Sequence, residues 1–401
     1  MHRACFGARR LLCTAGRGAG PRSPGVTGKA RVAPAASPQL LRPPAAPPAW
    51  HGRPGVSRGA AAAAAASEAP AGASALPPLP PLVDQVLRGV GQVVFCNSPL
   101  SGGLLTAGLF YGGGPQLAVL ALVGCTSATA TARLAGADPE AIKNGLLGYN
   151  GALVGCAFSV FLGAAAEPTL VATGLGGAAS ALLASRLGAL TAPVPQWTLA
   201  FNVTALALLL FVRPLADAGP AEEGEAAPAV AAASSLGPEE WLTSALVGVS
   251  QIFVVDSPAA GLLMLAGIAA YSPGAAAATA LGSLLGIASA VAYGADAEEV
   301  RHGLWGFNPA LTALAVSVFF APVPWAPALA LACGGALATA GAAAVLKAAL
   351  AGALGVPALT LPFCAVASGC YLLAGRAPGL ALAAAAHSPE ANLRALRAAA
   401  R

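Results

Sequence analysis

Charged side chains are scarce in this chain: Asp, Glu, Lys and Arg make up 9% of its 401 residues, against about a quarter in ordinary soluble domains. A soluble surface of this size needs many more charges. The deficit excludes a soluble globular protein and places most of the chain outside water. The eight cysteines include no CxxC pair, and there are only four histidines. Neither a metal site nor a disulfide framework is readable, and the cysteines read as small apolar residues in helix interiors. There is no GxSxG, HExxH or Walker loop. With no nucleophile–base constellation, the sequence reads as a non-enzyme with no cofactor and no metal. Acidic residues are missing from residues 1–67, which carry ten basic ones. Taking those ten from 21 leaves eleven basic residues in the body against all 16 acidic ones. The net charge therefore belongs to the N-terminal extension and implies no nucleic-acid partner.

Apolar residues, at 57%, are what is abundant. Residues 1–80 form an Arg/Ala/Pro-rich leader without a run of spanning length, expected to be disordered. The Arg-rich, acid-free composition of residues 1–67 is that of an organelle transit peptide, with a cytosolic tail or a misplaced start as alternatives. From residue 81 apolar segments follow one another. In the first half they are 83–96, 100–111, 116–134, 145–162, 169–190 and 197–212. A spanning helix needs about 20 residues. The shorter segments are expected as broken or re-entrant helices, buried in protein or lining a cavity. The expected organisation is a first transmembrane repeat over 81–213, an acidic linker over 214–239, a second repeat over 240–376 and a tail over 377–401.

The two halves repeat one another. GQVVFCNSPLSG (91–102) matches SQIFVVDSPAAG (250–261), DPEAIKNGLLGYNGAL (138–153) matches DAEEVRHGLWGFNPAL (296–311), and PQWTLAFN (195–202) matches PALTLPFC (357–364). The blocks keep their order at offsets of 158 to 162 residues. A duplicated membrane protein usually pairs two pseudo-symmetric halves around a midplane site. If each half crosses an odd number of times, the halves are inverted.

Matched polar residues fall in these blocks: Gln92 with Gln251 and Thr198 with Thr360. Gln and Thr offer both donors and acceptors, so they can replace water around a small uncharged amide. A polar group left unpaired in apolar surroundings costs roughly 2–7 kcal/mol, and a pore for such a solute needs a line of partners. Helix–helix hydrogen bonding is the competing use of any one of them. Matched apolar residues, Phe95 with Val254, Tyr149 with Phe307, Leu153 with Leu311 and Phe201 with Phe363, form either core or the walls of a flat slot. Asn97 and Asp256 precede a Ser-Pro in each half and are expected to cap the following helix. His302 aligns with Asn144 and reads as a helix-end residue. Paired charge inside the apolar blocks is scarce, which favours a neutral solute and uncoupled passage.

With VGQVVF, GLLGYN and TLAF in the first half and VSQIFV, GLWGFN and TLPF in the second, the chain resembles the urea transporter family over about residues 82–375. The resemblance implies an all-α polytopic membrane protein of two homologous inverted-repeat halves. Each half would have about five spanning helices plus a re-entrant helix, around a central pore. It implies a homotrimer with one pore per subunit and passive, channel-like passage of urea. Carried over by position, Gln92 and Gln251 bond urea at the two mouths. Phe95 and Val254 flank it, with Val93 and Ile252 beside the glutamines. Thr198 and Thr360 line the centre, and Tyr149, Leu153, Phe201, Phe307, Leu311 and Phe363 supply apolar walls. Ala200, where TLPF has Pro, is expected to lessen a helix break in the first half. Short amides, ammonia or water are alternative solutes; a membrane enzyme or a purely structural membrane protein is the competing class. The plasma membrane is the expected location, or an organelle envelope if the leader is a transit peptide.

Overall fold

A computed structural model describes residues 79–162, 166–216, 232–233, 236–384 and 387–399. Most of the leader and of the acidic linker lies outside them. The first half builds α1 (Pro81–Gln92), α2 (Pro99–Gly108), α3 (Gly114–Leu134), α4 (Pro139–Lys143), α5 (Tyr149–Phe161), α6 (Ala166–Thr191) and α7 (Leu199–Ala216). The second builds α8 (Pro238–Ser250), α9 (Pro258–Tyr271), α10 (Pro273–Ala292), α11 (Ala297–Arg301), α12 (Phe307–Phe319), α13 (Trp325–Leu354) and α14 (Leu361–Leu373). A tail helix, α15 (Pro389–Ala399), follows. The described residues contain isolated bridges but no strand. Each of the first seven helices has its counterpart seven places on, so the sequence repeat is also a repeat of elements.

Proline marks many helix starts, as at α1, α2, α8 and α9. It is tolerated there because the first N–H has no helical acceptor. The expected caps are corrected by one residue. Ser98 Oγ accepts the Ser101 N–H at 3.3 Å and Ser257 Oγ accepts the Ala260 N–H at 3.2 Å. A cap oxygen must reach the third residue of the helix, and with Pro at the first position that oxygen is the serine's. Asn97 and Asp256 are thereby free for other contacts.

Among the described residues four helical stretches are long and apolar enough to cross a membrane: Pro99–Leu134 (through a π turn at Leu109–Gly113), Glu167–Thr191, Pro273–Ala292 and Trp325–Leu354. Pro238–Phe253 and Pro258–Tyr271 are long and apolar enough only when taken together, and they meet at a bend of 71°, the form of a broken span or a re-entrant loop. Apolar helices of 13 residues, such as Tyr149–Phe161 and Leu361–Leu373, reach only about 20 Å at 1.5 Å per residue. That is short of a full crossing. Large apolar side chains point outward along the spans, among them Leu175, Phe211, Trp325 and Val345, the reverse of a soluble surface and suited to lipid.

Small residues let the bundle close. A Cβ on Gly102 would lie 1.8 Å from Leu87 O, and one on Gly261 would lie 1.9 Å from Leu246 O. Both crossings, α1 with α2 and α8 with α9, therefore need glycine, as close membrane-helix contacts generally favour small residues. The two halves dock through α2 and α9, where Gly108 meets the Met264 side chain.

Candidate functional site

Each repeat breaks its first helix at a glutamine. After Gln92 the chain turns back, with Phe95 in the left-handed region at φ 57; after Gln251 it does the same at Val254, φ 60. Such a conformation is unusual for any L-residue and an outlier for a β-branched one, so tertiary contacts must hold both turns. The glutamines contribute. Gln92 Nε2 donates to Asn144 O at 2.8 Å, and Gln251 Nε2 donates to His302 O at 2.8 Å. No described residue donates to either Oε1, which leaves an acceptor in each turn.

The neighbours of the two glutamines differ in charge. Asn97 Nδ2 donates to Asn144 Oδ1 at 2.9 Å, and Asn97 Oδ1 accepts from Arg88 Nη1 at 2.9 Å. Arg88 is tied to Asp84 at 2.7 Å. In the second half Asp256 Oδ2 meets His302 Nδ1 at 2.5 Å. The hydrogen bond to Asp256 holds the His302 imidazole above its ordinary pKa. His302 does cap the end of α11, as expected, but it also closes this pair. Asn144 Nδ2 is buried without a partner among the described residues, a donor in search of an acceptor.

Between the clusters the halves meet in one hydrogen-bonded knot. Thr198 Oγ1 and Thr360 Oγ1 are 2.7 Å apart, Asn202 Nδ2 donates to Thr360 Oγ1 at 2.8 Å, and Cys364 Sγ lies 3.2 Å from Thr198 Oγ1. Asn202 and Cys364 are the last residues of matched blocks, so the knot is not symmetric. The asparagines of GLLGYN and GLWGFN pin the helices that carry the threonines. Asn150 Oδ1 accepts the Phe201 N–H at 3.1 Å and Asn308 Oδ1 accepts the Phe363 N–H at 3.2 Å. The break before α7 persists despite Ala200, correcting that expectation. Trp197 sits at φ 51, and the N–H that Pro would lack is taken by Gln196 Oε1 at 3.2 Å.

On the Gln251 side a cavity of about 830 Å³ opens. Of the expected site residues it takes Phe201, Gln251, Ile252, Val254, Phe307 and Thr360, and Leu359 and His302 join them. On the Gln92 side aromatic rings gather: Phe95, Trp197, Phe319, Phe363 and Tyr371 pack edge to face. Tyr149 lies beside them, half-buried, its hydroxyl donating to Trp197 O. Val93, Leu153, Leu311 and Phe363 are almost fully buried and do not line the cavity. Sequence reasoning passed over Trp197, Asn202 and Cys364, although each lies in a quoted block as a mismatch with its twin. Phe319 and Tyr371 carry no local signal. No group of three or more His, Cys, Asp or Glu among the described residues is placed to hold a metal.

A helical bundle with an apolar exterior and hydrogen-bonding groups strung between two broken helices is an integral membrane protein of the transporter class. Paired helix breaks at matching places in two repeats are where such proteins bind their solute. A sequence profile described as Urea transporter matches residues 83–375. Urea transporter 1 of Ovis aries is 34% identical over 292 residues, covering 70% of this chain and 74% of that protein. Urea transporter 1 of Rattus norvegicus matches to the same extent, and that of Mus musculus is 34% identical over 294 residues. The chain belongs to the urea transporter family.

Proposed function

We propose that the protein moves urea across the membrane passively, through one pore per subunit of a homotrimer whose two halves are inverted repeats. The observation that carries this reading is the alignment of uncharged hydrogen-bonding groups: a glutamine with an open acceptor in each half, with the Thr198–Thr360 pair between them. Urea has N–H donors for the glutamine oxygens and a carbonyl that a threonine hydroxyl can serve. Gln92 and Gln251 replace water at the two mouths, flanked by Val93, Phe95, Ile252 and Val254. Thr198 and Thr360 serve the centre, and Tyr149, Leu153, Phe201, Phe307, Leu311 and Phe363 hold the slot apolar. The domain limits follow the repeat: 81–213, then an acidic linker, then 240–376.

Stopped-flow urea flux into proteoliposomes, with acetamide, glycerol and ammonia as controls, tests the assignment. Urea permeability well above that of empty vesicles, and above glycerol, is expected. A second reading, in which only smaller solutes such as ammonia or water pass, draws on the closely packed rings beside Gln92. Flux of those solutes without urea flux would favour it. The plasma membrane is the proposed location; an organelle envelope would follow if residues 1–80 act as a transit peptide.

A further inference from the structure

We propose that Trp197 sets the size limit of the pore at its Gln92 end, making that mouth narrower than the one at Gln251. The inference rests on the channel reading above. Trp197 and Leu359 are twins in the repeat, each one residue before the threonine of the central pair. Both stand in the left-handed region, at φ 51 and φ 48. Each carbonyl is held from the start of the same helix of its half: Trp197 O by the Tyr149 hydroxyl, and Leu359 O by Asn308 Nδ2 at 3.0 Å. The backbone is thus matched and each carbonyl is held, though by neighbouring rather than equivalent residues, while the side chain at the position itself is Trp in one half and Leu in the other.

At Leu359 the outcome is open space, for that residue lines the 830 Å³ cavity with Gln251, Val254 and Thr360. At Trp197 the outcome is a stack. The indole is 4% exposed, with ring centroids 6.2 Å from Phe95, 5.1 Å from Phe319, 5.6 Å from Phe363 and 6.2 Å from Tyr371. Its Nε1 donates to Ser368 Oγ at 3.0 Å. An indole fixed by that bond and by edge-to-face neighbours cannot swing aside as an aliphatic chain does. Phe95, which flanks the solute next to Gln92, is one of its contacts. Flat, unsubstituted solutes the width of urea fit beside such a stack, and N-alkylated ureas meet the indole.

The test compares urea, N-methylurea and N,N′-dimethylurea by stopped-flow in vesicles holding wild type, Trp197→Leu or Trp197→Phe, with thermal stability of each preparation measured alongside. Trp197→Leu copies the twin half. It should raise the dimethylurea-to-urea permeability ratio by about tenfold or more, since discrimination against even one of its two added carbons is on that scale. An unchanged ratio in folded Trp197→Leu protein overturns the size limit. Should that variant not fold, Trp197→Phe keeps an aromatic ring in the stack while removing bulk and the Ser368 bond. A raised ratio there supports the role and an unchanged one overturns it. Wild-type urea flux no greater than that of empty vesicles would instead overturn the channel reading.

Discussion

Replacing Gln251 with Leu separates the proposed solute contact from the packing contact that the glutamine makes with His302 O. Leu keeps nearly the same bulk, loses the 2.8 Å bond from Nε2 to His302 O, and removes the Oε1 to which no described residue donates. The first loss falls on the fold and is worth about 0.5–1.5 kcal/mol. The second falls on the solute, which sheds a water and finds no replacement, at about 1–3 kcal/mol. At about 1.36 kcal/mol per factor of ten, urea permeability per folded protein should drop roughly five- to 150-fold. Gln92→Leu, which forfeits the 2.8 Å bond to Asn144 O, should behave alike, since two mouths in series each limit the flux. Stopped-flow flux and thermal unfolding are measured on the same preparations. If both variants are less stable yet carry urea at the wild-type rate per folded protein, the glutamines are packing elements only, and their assignment to the solute path is refuted.

Other expected outcomes follow from the same geometry. His302→Asn, which copies Asn144 of the first half, should flatten the pH dependence of stability. The His302 pKa is raised, first by its hydrogen bond to Asp256 and further by Asp256 and Glu298 charge, against burial and Arg301. The pair's stabilisation is therefore full below the free-imidazole value of about 6.5 and is lost as pH rises through the higher folded value. Identical pH profiles for variant and wild type would contradict this. Gly102→Ala should destabilise by about 1–3 kcal/mol or more, as its Cβ would fall 1.8 Å from Leu87 O, whereas Gly103→Ala, with nothing within 4 Å, should not. Equal melting temperatures for the two would count against the close crossing of α1 and α2. Imposed proton or sodium gradients should not drive urea above its equilibrium level in sealed vesicles, and accumulation would rule out passive transport.

The sequence by itself determined the class, the duplication and the family. These follow from features that survive without coordinates: a charge deficit that only lipid tolerates, and three ordered blocks repeated at one offset. The paired glutamines and threonines were legible for the same reason, since a repeat singles out polar residues that apolar segments would otherwise lack. The caps before α2 and α9 were legible to within a residue, Pro and Ser being local signals, whereas the first-half segments began up to four residues away from the helices. What only tertiary structure decided is which groups face one another. That Thr198 meets Thr360 depends on how two distant helix ends converge. That Asp256 pairs with His302 while Asn97 pairs with Asn144 depends on a turn reaching across to a different loop. The contrast between an open cavity at Leu359 and a ring stack at Trp197 depends on Phe319 and Tyr371, which the chain supplies from more than a hundred residues away. A repeat shows that two positions are equivalent in the chain; the space at each is set by side chains arriving from distant helices, and so it exists only once the bundle has closed.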